Sequence, residues 1–151
     1  MVGLVDREQY RALEKQFTPR PPVLENAGRA FAAGGIVSVL GQVVIQAFIS
    51  LMGLSPEAAA TPAAVVLITL AAVLTSAGVW DKFAQWAGMG ASVPITGFAN
   101  AIVAPAMEFK RDGWVFGVGA KMFSIAGPVI VYGLLTAVLA GSWYYLMYFP
   151  R

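Results

Sequence analysis

The chain has 151 residues, 58% of them hydrophobic and only 12% charged, about half the charged share of an ordinary soluble domain. It contains no cysteine and no histidine, which excludes thiol chemistry, disulfides and the usual zinc and haem ligand sets. The net charge is +2, but Arg7, Arg11, Lys15, Arg20 and Arg29 alternate with Asp6, Glu8, Glu14 and Glu25, so no clean basic face is offered to nucleic acid.

The charges are segregated. None falls between Arg29 and Glu57, Glu57 and Asp81, Lys82 and Glu108, or Lys121 and Arg151. Each gap exceeds the ~20 residues that span the hydrocarbon core. A soluble helical core would show polar faces at a 3.6-residue period, and these runs show none. The sequence therefore predicts an all-α membrane protein of three to four transmembrane helices, with residues 1–25 as an N-terminal arm and 26–151 as one polytopic membrane domain. The first apolar run starts too late and is too long for a signal peptide.

Residues 2–17 predict a short amphipathic helix, with Tyr10, Leu13 and Phe17 on one side. Thr18-Pro19-Arg20-Pro21-Pro22 then stops it and forms a stiff extended spacer. Span one is expected from Asn26 to Gly53. Ala30, Gly34 and Ser38 recur four apart on it, a stripe that admits a second helix closely. Gln42 and Gln46 share one face, and lipid penalises both amides, so they are expected to face the protein interior or a pore. An interhelical hydrogen bond and a pore lining both fit that spacing. Leu54 to Thr61 reads as a loop, Pro62 to Trp80 as span two, and Trp80 as part of an aromatic belt at its end.

Residues 83–109 carry the most informative stretch. Gly88, Gly90, Pro94 and Gly97 break a segment with no charge from Phe83 to Met107. Pro94 lacks an amide proton and disfavours α backbone at Val93, and the glycines weaken helix further. Backbone freed from helical bonding cannot face lipid, where each unsatisfied group costs several kcal/mol; it must sit in protein or against water. The segment around 86–108 either crosses as a kinked helix or re-enters as a hairpin. Placing the basic N-terminal arm in the cytoplasm puts Glu57 outside and Lys82 inside. Re-entry then returns Lys110 and Arg111 inside, and the positive-inside rule favours it.

Glu108 to Gly113 is a charged turn, and Trp114 to Tyr148 is a third span longer than one membrane thickness. Lys121 and Gly127-Pro128 interrupt it, so Gly113–Ser124 is a candidate short embedded segment and Ile125–Tyr148 the span proper. Trp143, Tyr144, Tyr145 and Tyr148 mark an interface.

No catalytic constellation exists: there is no nucleophile–base pair, and the acids lie in loops. The chain is not expected to be an enzyme or to carry a cofactor, and no ligand set defines a metal site. What remains is polar groups in an apolar setting. Ser92, Thr96 and Asn100 recur every four residues, flanked by Glu108 and Lys121. They either repair the backbone opened by Pro94 or line a path for a polar solute. Half-helix N-termini attract carboxylates, and an embedded Lys121 would add full charge, so an anion is the expected solute.

Gly88-x-Gly-Ala-Ser-Val-Pro-Ile-Thr-Gly-Phe-Ala-Asn100 closely resembles the motif of the SpoVAC/SpoVAEb family of membrane proteins from endospore-forming bacteria. Pro19-Arg-Pro-Pro22 before an Asn, Ala30-Phe-x-x-Gly-Gly35, Gly41-Gln42, Gly78-x-x-Asp81, Gly113-x-x-x-Gly117 and Met122-Phe123-x-x-Ala-Gly127 fit the same family, so the resemblance covers nearly the whole chain. Ala101 departs from it, because the family pattern often has Ser there. The resemblance implies an integral subunit of a channel complex in the spore inner membrane, the forespore cell membrane during sporulation. That complex moves dipicolinic acid, with calcium, inward during sporulation and outward during germination. It further implies the soluble AD component and the AEb membrane protein as partners, homo- or hetero-oligomers, and a link to tension gating. Gln42, Gln46, Ser92, Thr96, Asn100 and Lys121 are the expected solute path or polar lining. A non-conducting scaffold within the same complex is the alternative.

Overall fold

The computed structural model describes residues 10, 11, 13, 14 and 21–149. Most of the N-terminal helix and spacer expected over residues 2–22 lies outside them. From Val23 onward the described chain is helical apart from short joints. Its helices are α1 (Val23–Met52), α2 (Pro56–Ser76), α3 (Val79–Ala87), α4 (Met89–Ser92), α5 (Ile95–Glu108) and α6 (Ala120–Tyr148). A 3₁₀ turn (Phe109–Asp112) and a π-helical stretch (Trp114–Gly119) join α5 to α6. An apolar chain in lipid must satisfy its backbone within each segment, which makes helix the default. Three segments are long and apolar enough to cross a membrane: Val23–Met52, Pro56–Ser76 and Trp114–Tyr148. The fold is thus that of an all-α membrane protein.

Three sequence boundaries need correction. The loop expected over Leu54–Thr61 shrinks to Gly53-Leu54-Ser55, because α2 begins at Pro56. The Ser55 hydroxyl accepts the Ala58 amide at 3.3 Å, and proline in the first turn loses only an amide that would be free anyway. Pro62 then lies inside the helix. At its other end α2 stops at Ser76, and Gly78, with φ 69°, turns the chain into α3. Trp80 therefore belongs to α3 and not to a belt at the end of span two. It is buried in the core, edge-on to Phe83 with ring centroids 5.4 Å apart. In the third span, Pro128 interrupts nothing: α6 runs through it unbroken, and the irregularity falls earlier, at the π-helical stretch.

The core is built from small residues. Ala33, Ala71, Ala87, Ala91 and Ala99 are buried together with Trp80, whereas the large aliphatic side chains point outward. Helices in lipid gain little by hiding leucine from leucine-like solvent, and gain most where small residues let backbones approach. The α2/α5 pair makes the most extensive contact, followed by α1 on α2, α6 on α5, and α4 on α1. At 14 residues, α5 is ~21 Å long, against ~30 Å of hydrocarbon. The stretch between the second and third spans is thus a run of short helices, not a fourth long one.

Candidate functional site: the break between α3 and α5

Four residues make the break, each differently. Gly88 ends α3 with φ 54° and ψ −127°, a backbone that side-chain-bearing residues avoid. Gly90 lies against α1, where an added Cβ would overlap the Ala30 carbonyl oxygen. Pro94 is extended, with ψ 162°, and starts α5. A Cβ on Gly97 would strike the Ala91 and Ser92 carbonyl oxygens at the end of α4. Gly90 and Gly97 therefore do more than weaken helix: one admits a neighbouring helix backbone, the other lets α5 start against α4.

The sequence-expected polar row does not form one lining. Ser92 is exposed, and its hydroxyl donates within its own segment to the Gly88 carbonyl at 3.3 Å. Thr96 is 4% exposed, and its hydroxyl has no partner among the described residues. Asn100 is half-buried and meets Thr75 of α2 at 3.0 Å through its side-chain amide. Thr75 owns one hydroxyl hydrogen, and the 2.7 Å bond to the Ala71 carbonyl takes it. Asn100 then satisfies Thr75 best by presenting its NH₂ to the hydroxyl oxygen, an amide orientation set by the network. Asn100 is thus engaged in joining α5 to α2. Thr75, buried on α2, was absent from the sequence reading; a lone threonine in an apolar run gives no signal of its distant partner.

Lys121 is not beside the break. Its ammonium sits over the Phe109 ring, 4.7 Å from the centroid, next to the charged turn. Of the two places expected for Gln42 and Gln46, the protein interior or a pore, the chain's own interior is not where they lie. Both are exposed, while elsewhere on α1 Ala33 is buried, Gly34 lies against Gly90, and Gly41 lies against Leu67 of α2.

Two open cavities flank the break on α1. One, of about 520 Å³, lies between the start of α1 and the end of α3, with Asn26, Arg29, Gln85, Trp86 and Gly88 in its wall. Arg29 is ion-paired with Glu25, one turn earlier on the helix. The second, of about 470 Å³, shares Ala30 and Met89 with the first and continues past Gly34 and Ser38 beneath Pro94. Asn26, Arg29, Gln85 and Trp86 were not singled out from sequence, because only the fold brings residues 26–29 to residues 85–88. Among the described residues no three acidic side chains gather to hold a metal ion.

These features define a class: a polytopic α-helical membrane protein in which a short, broken helical segment is wedged against the first span. Comparison with known proteins makes this specific. The model of the SpoVAC/SpoVAEB sporulation membrane proteins matches residues 26–143, and the chain belongs to that family. It is 38% identical over 135 residues to Stage V sporulation protein AC of Bacillus subtilis (strain 168), covering 89% of this chain and 90% of that relative. No solved structure matches the chain.

Proposed function

We propose that the chain is a non-enzymatic subunit of a channel or transporter in the spore inner membrane. Its solute is dipicolinic acid, carried with calcium, inward during sporulation and outward during germination. The AD and AEb proteins of the same system are its partners, and membrane tension is the gating stimulus. The observation that carries this reading is the break at Gly88–Gly97 inside an uncharged segment, with the orphan Thr96 hydroxyl within it. Irregular backbone at membrane depth marks solute sites in transporters. The mouth beside it offers a guanidinium, two amides and the Trp86 ring, groups suited to a flat aromatic dicarboxylate. Family membership and the name of the relative supply the sporulation setting.

A scaffold reading has its own support: Asn100 is already bonded to Thr75, which is what a packing contact requires. Two substitutions separate the readings. Asn100→Leu removes donor and acceptor, whereas Asn100→Asp loses the donor, keeps an acceptor to which the Thr75 hydroxyl can turn from the Ala71 carbonyl, and adds negative charge. If an anion passes here, dipicolinate accumulation in spores falls further with Asp than with Leu, at equal protein level. Tolerance of Asp with failure of Leu assigns Asn100 to the helix pair and overturns the anion path at this residue.

A further inference from the structure

A third cavity, of about 310 Å³, differs from the two beside the break. α1, α2 and α3 each contribute three apolar side chains to its wall, Trp80 and Phe83 among them, and Thr96 of α5 completes it. No charged or amide group borders it, and the Thr96 hydroxyl is buried with no surface of its own, so the wall presents only carbon. Water does not fill such a space, because each molecule would need several polar partners. Left empty, the lining would forfeit dispersion contacts along every side chain. The volume is at the small end of the ~300–1,000 Å³ of ligand pockets, which share this apolar and aromatic lining. The cavity opens sideways between two membrane-crossing helices. Ile36 and Leu40 in the middle turns of α1, Leu70 of α2 and Val79 at the start of α3 all line it and are all exposed. Its rim is thus continuous with the outer sides of the first two spans.

We infer that this cavity is a lipid site, which takes one acyl chain of a phospholipid from the surrounding bilayer and seats it against Trp80. The site stands apart from the conducting role proposed above and holds whether or not a solute passes the break. An acyl chain matches the wall, which offers nothing to a polar solute. It is also the bulk component at this depth, since the middle of a span lies within the ~30 Å hydrocarbon layer. A helix of another chain is ~10 Å across with its side chains and would close the opening while filling little of the space. A flexible acyl chain enters and follows the wall. Once seated, it packs on α3 and on Thr96 at the start of α5. It thereby braces the two helices that flank the break against the first two spans.

Trp80 reports the occupant. It is only 6% exposed and borders the cavity, the opening through which an acyl chain meets it. A full-length chain that keeps Trp80 alone, through Trp86→Phe, Trp114→Phe and Trp143→Phe, is reconstituted in phosphatidylcholine vesicles with or without bromine on the acyl chains. Bromine quenches indole fluorescence on contact. A chain that keeps Trp143 alone, exposed on α6, is the outward-facing reference. Trp80 is expected to be quenched comparably to Trp143. Ile36→Phe with Leu40→Phe, which narrow the rim, are expected to remove most of that quenching. Val39→Phe, exposed on α1 but outside the cavity wall, is expected to leave it unchanged. Trp80 unquenched while Trp143 is quenched overturns the site, and so does quenching that survives the narrowed rim. Quenching that appears only on diluting the protein in lipid assigns the cavity to a second copy. Quenching that appears only with Tyr10→Ser and Leu13→Ser assigns it to the N-terminal arm. Either result overturns lipid as the occupant. Native mass spectrometry of the unaltered chain gives a second reading, free of the tryptophan substitutions. One phospholipid held by the parent and lost from the narrowed variant is expected. A parent that holds none, or a narrowed variant that keeps its lipid, overturns the proposal.

Discussion

The break region and α6 are equally apolar in sequence and opposite in packing. Residues 87–99 hold five buried alanines and glycines within reach of α1 and α2, and two backbones approach where no Cβ is allowed. In the 29 residues of α6 the sole buried residue is Ala126, and everything from Val129 to Tyr148 is exposed. Both insert for the same reason, the cost of leaving apolar groups in water. Only one is locked to its neighbours. Hydropathy therefore decides whether a segment enters the membrane. The size of residues at the contact decides what it holds once inside.

The sharpest way to break that contrast is at Gly90. A methyl there meets the Ala30 carbonyl of α1, which is backbone and cannot swing aside. Gly90→Ala is expected to cost about 3 kcal/mol, the upper part of the range for overpacking a tight site. The measurement is thermal unfolding in detergent, with insertion checked by membrane fractionation. Insertion is expected to stay normal while the folded state is lost several degrees earlier. A variant that melts like the parent shows that α4 does not bear on α1.

Gly97 and Pro94 give the next effect, and it is one of coupling. Gly97→Ala alone places a methyl on the Ala91 and Ser92 carbonyls and is expected to cost about 2 kcal/mol. Pro94→Ala alone leaves the break in place and gains at most a hydrogen bond, a change of about 1 kcal/mol either way. Together they let helix run from α4 into α5, and the clashing carbonyls turn to accept bonds from that helix. The double variant is expected to be about 1 kcal/mol more stable than the sum of the singles, a shortfall typical of residues in contact. Solute passage is nevertheless expected to fail, since the break itself is gone. Strict additivity in a double-mutant cycle denies that the two residues hold one structure.

Much of this was legible in the sequence, for reasons that also explain what was not. Charge gaps longer than a bilayer announced the spans, and the glycines and proline at 88–97 announced the break, because both signals are local. Recognition of the family rested on the same motif. The roles of Gly90 and Gly97 were hidden: a glycine shows that space is needed and not what fills it, and Ala30 is sixty residues from Gly90 in the chain. The outward turn of Gln42 and Gln46 was hidden for the converse reason. Spacing fixes that two residues share a face, and only tertiary packing fixes which way it looks. The partner of Lys121 was hidden as well, since its cation–π contact with Phe109 depends on the irregular turn between α5 and α6.

The smallest effect tests the other side of the contrast. Gly133 and Gly141 lie on the bare part of α6, and a Cβ on either meets nothing within 4 Å. If α6 is held only through its first turns, Gly133→Ala and Gly141→Ala each remove a helix-weakening residue and touch nothing. The expectation is a neutral outcome or a gain of up to about 1 kcal/mol, the ordinary difference between the two residues in a helix interior. Unfolding of the isolated chain reads this directly. The same variants are then carried into the assembled state, where size-exclusion in detergent reads oligomerisation. An unchanged assembly leaves lipid as the neighbour of Val129–Tyr148. If assembly is lost while the single chain keeps its stability, the bare face of α6 is covered in the complex. The contrast with the break region would then hold within one subunit but not within the assembly, and small residues would be setting contacts in both places.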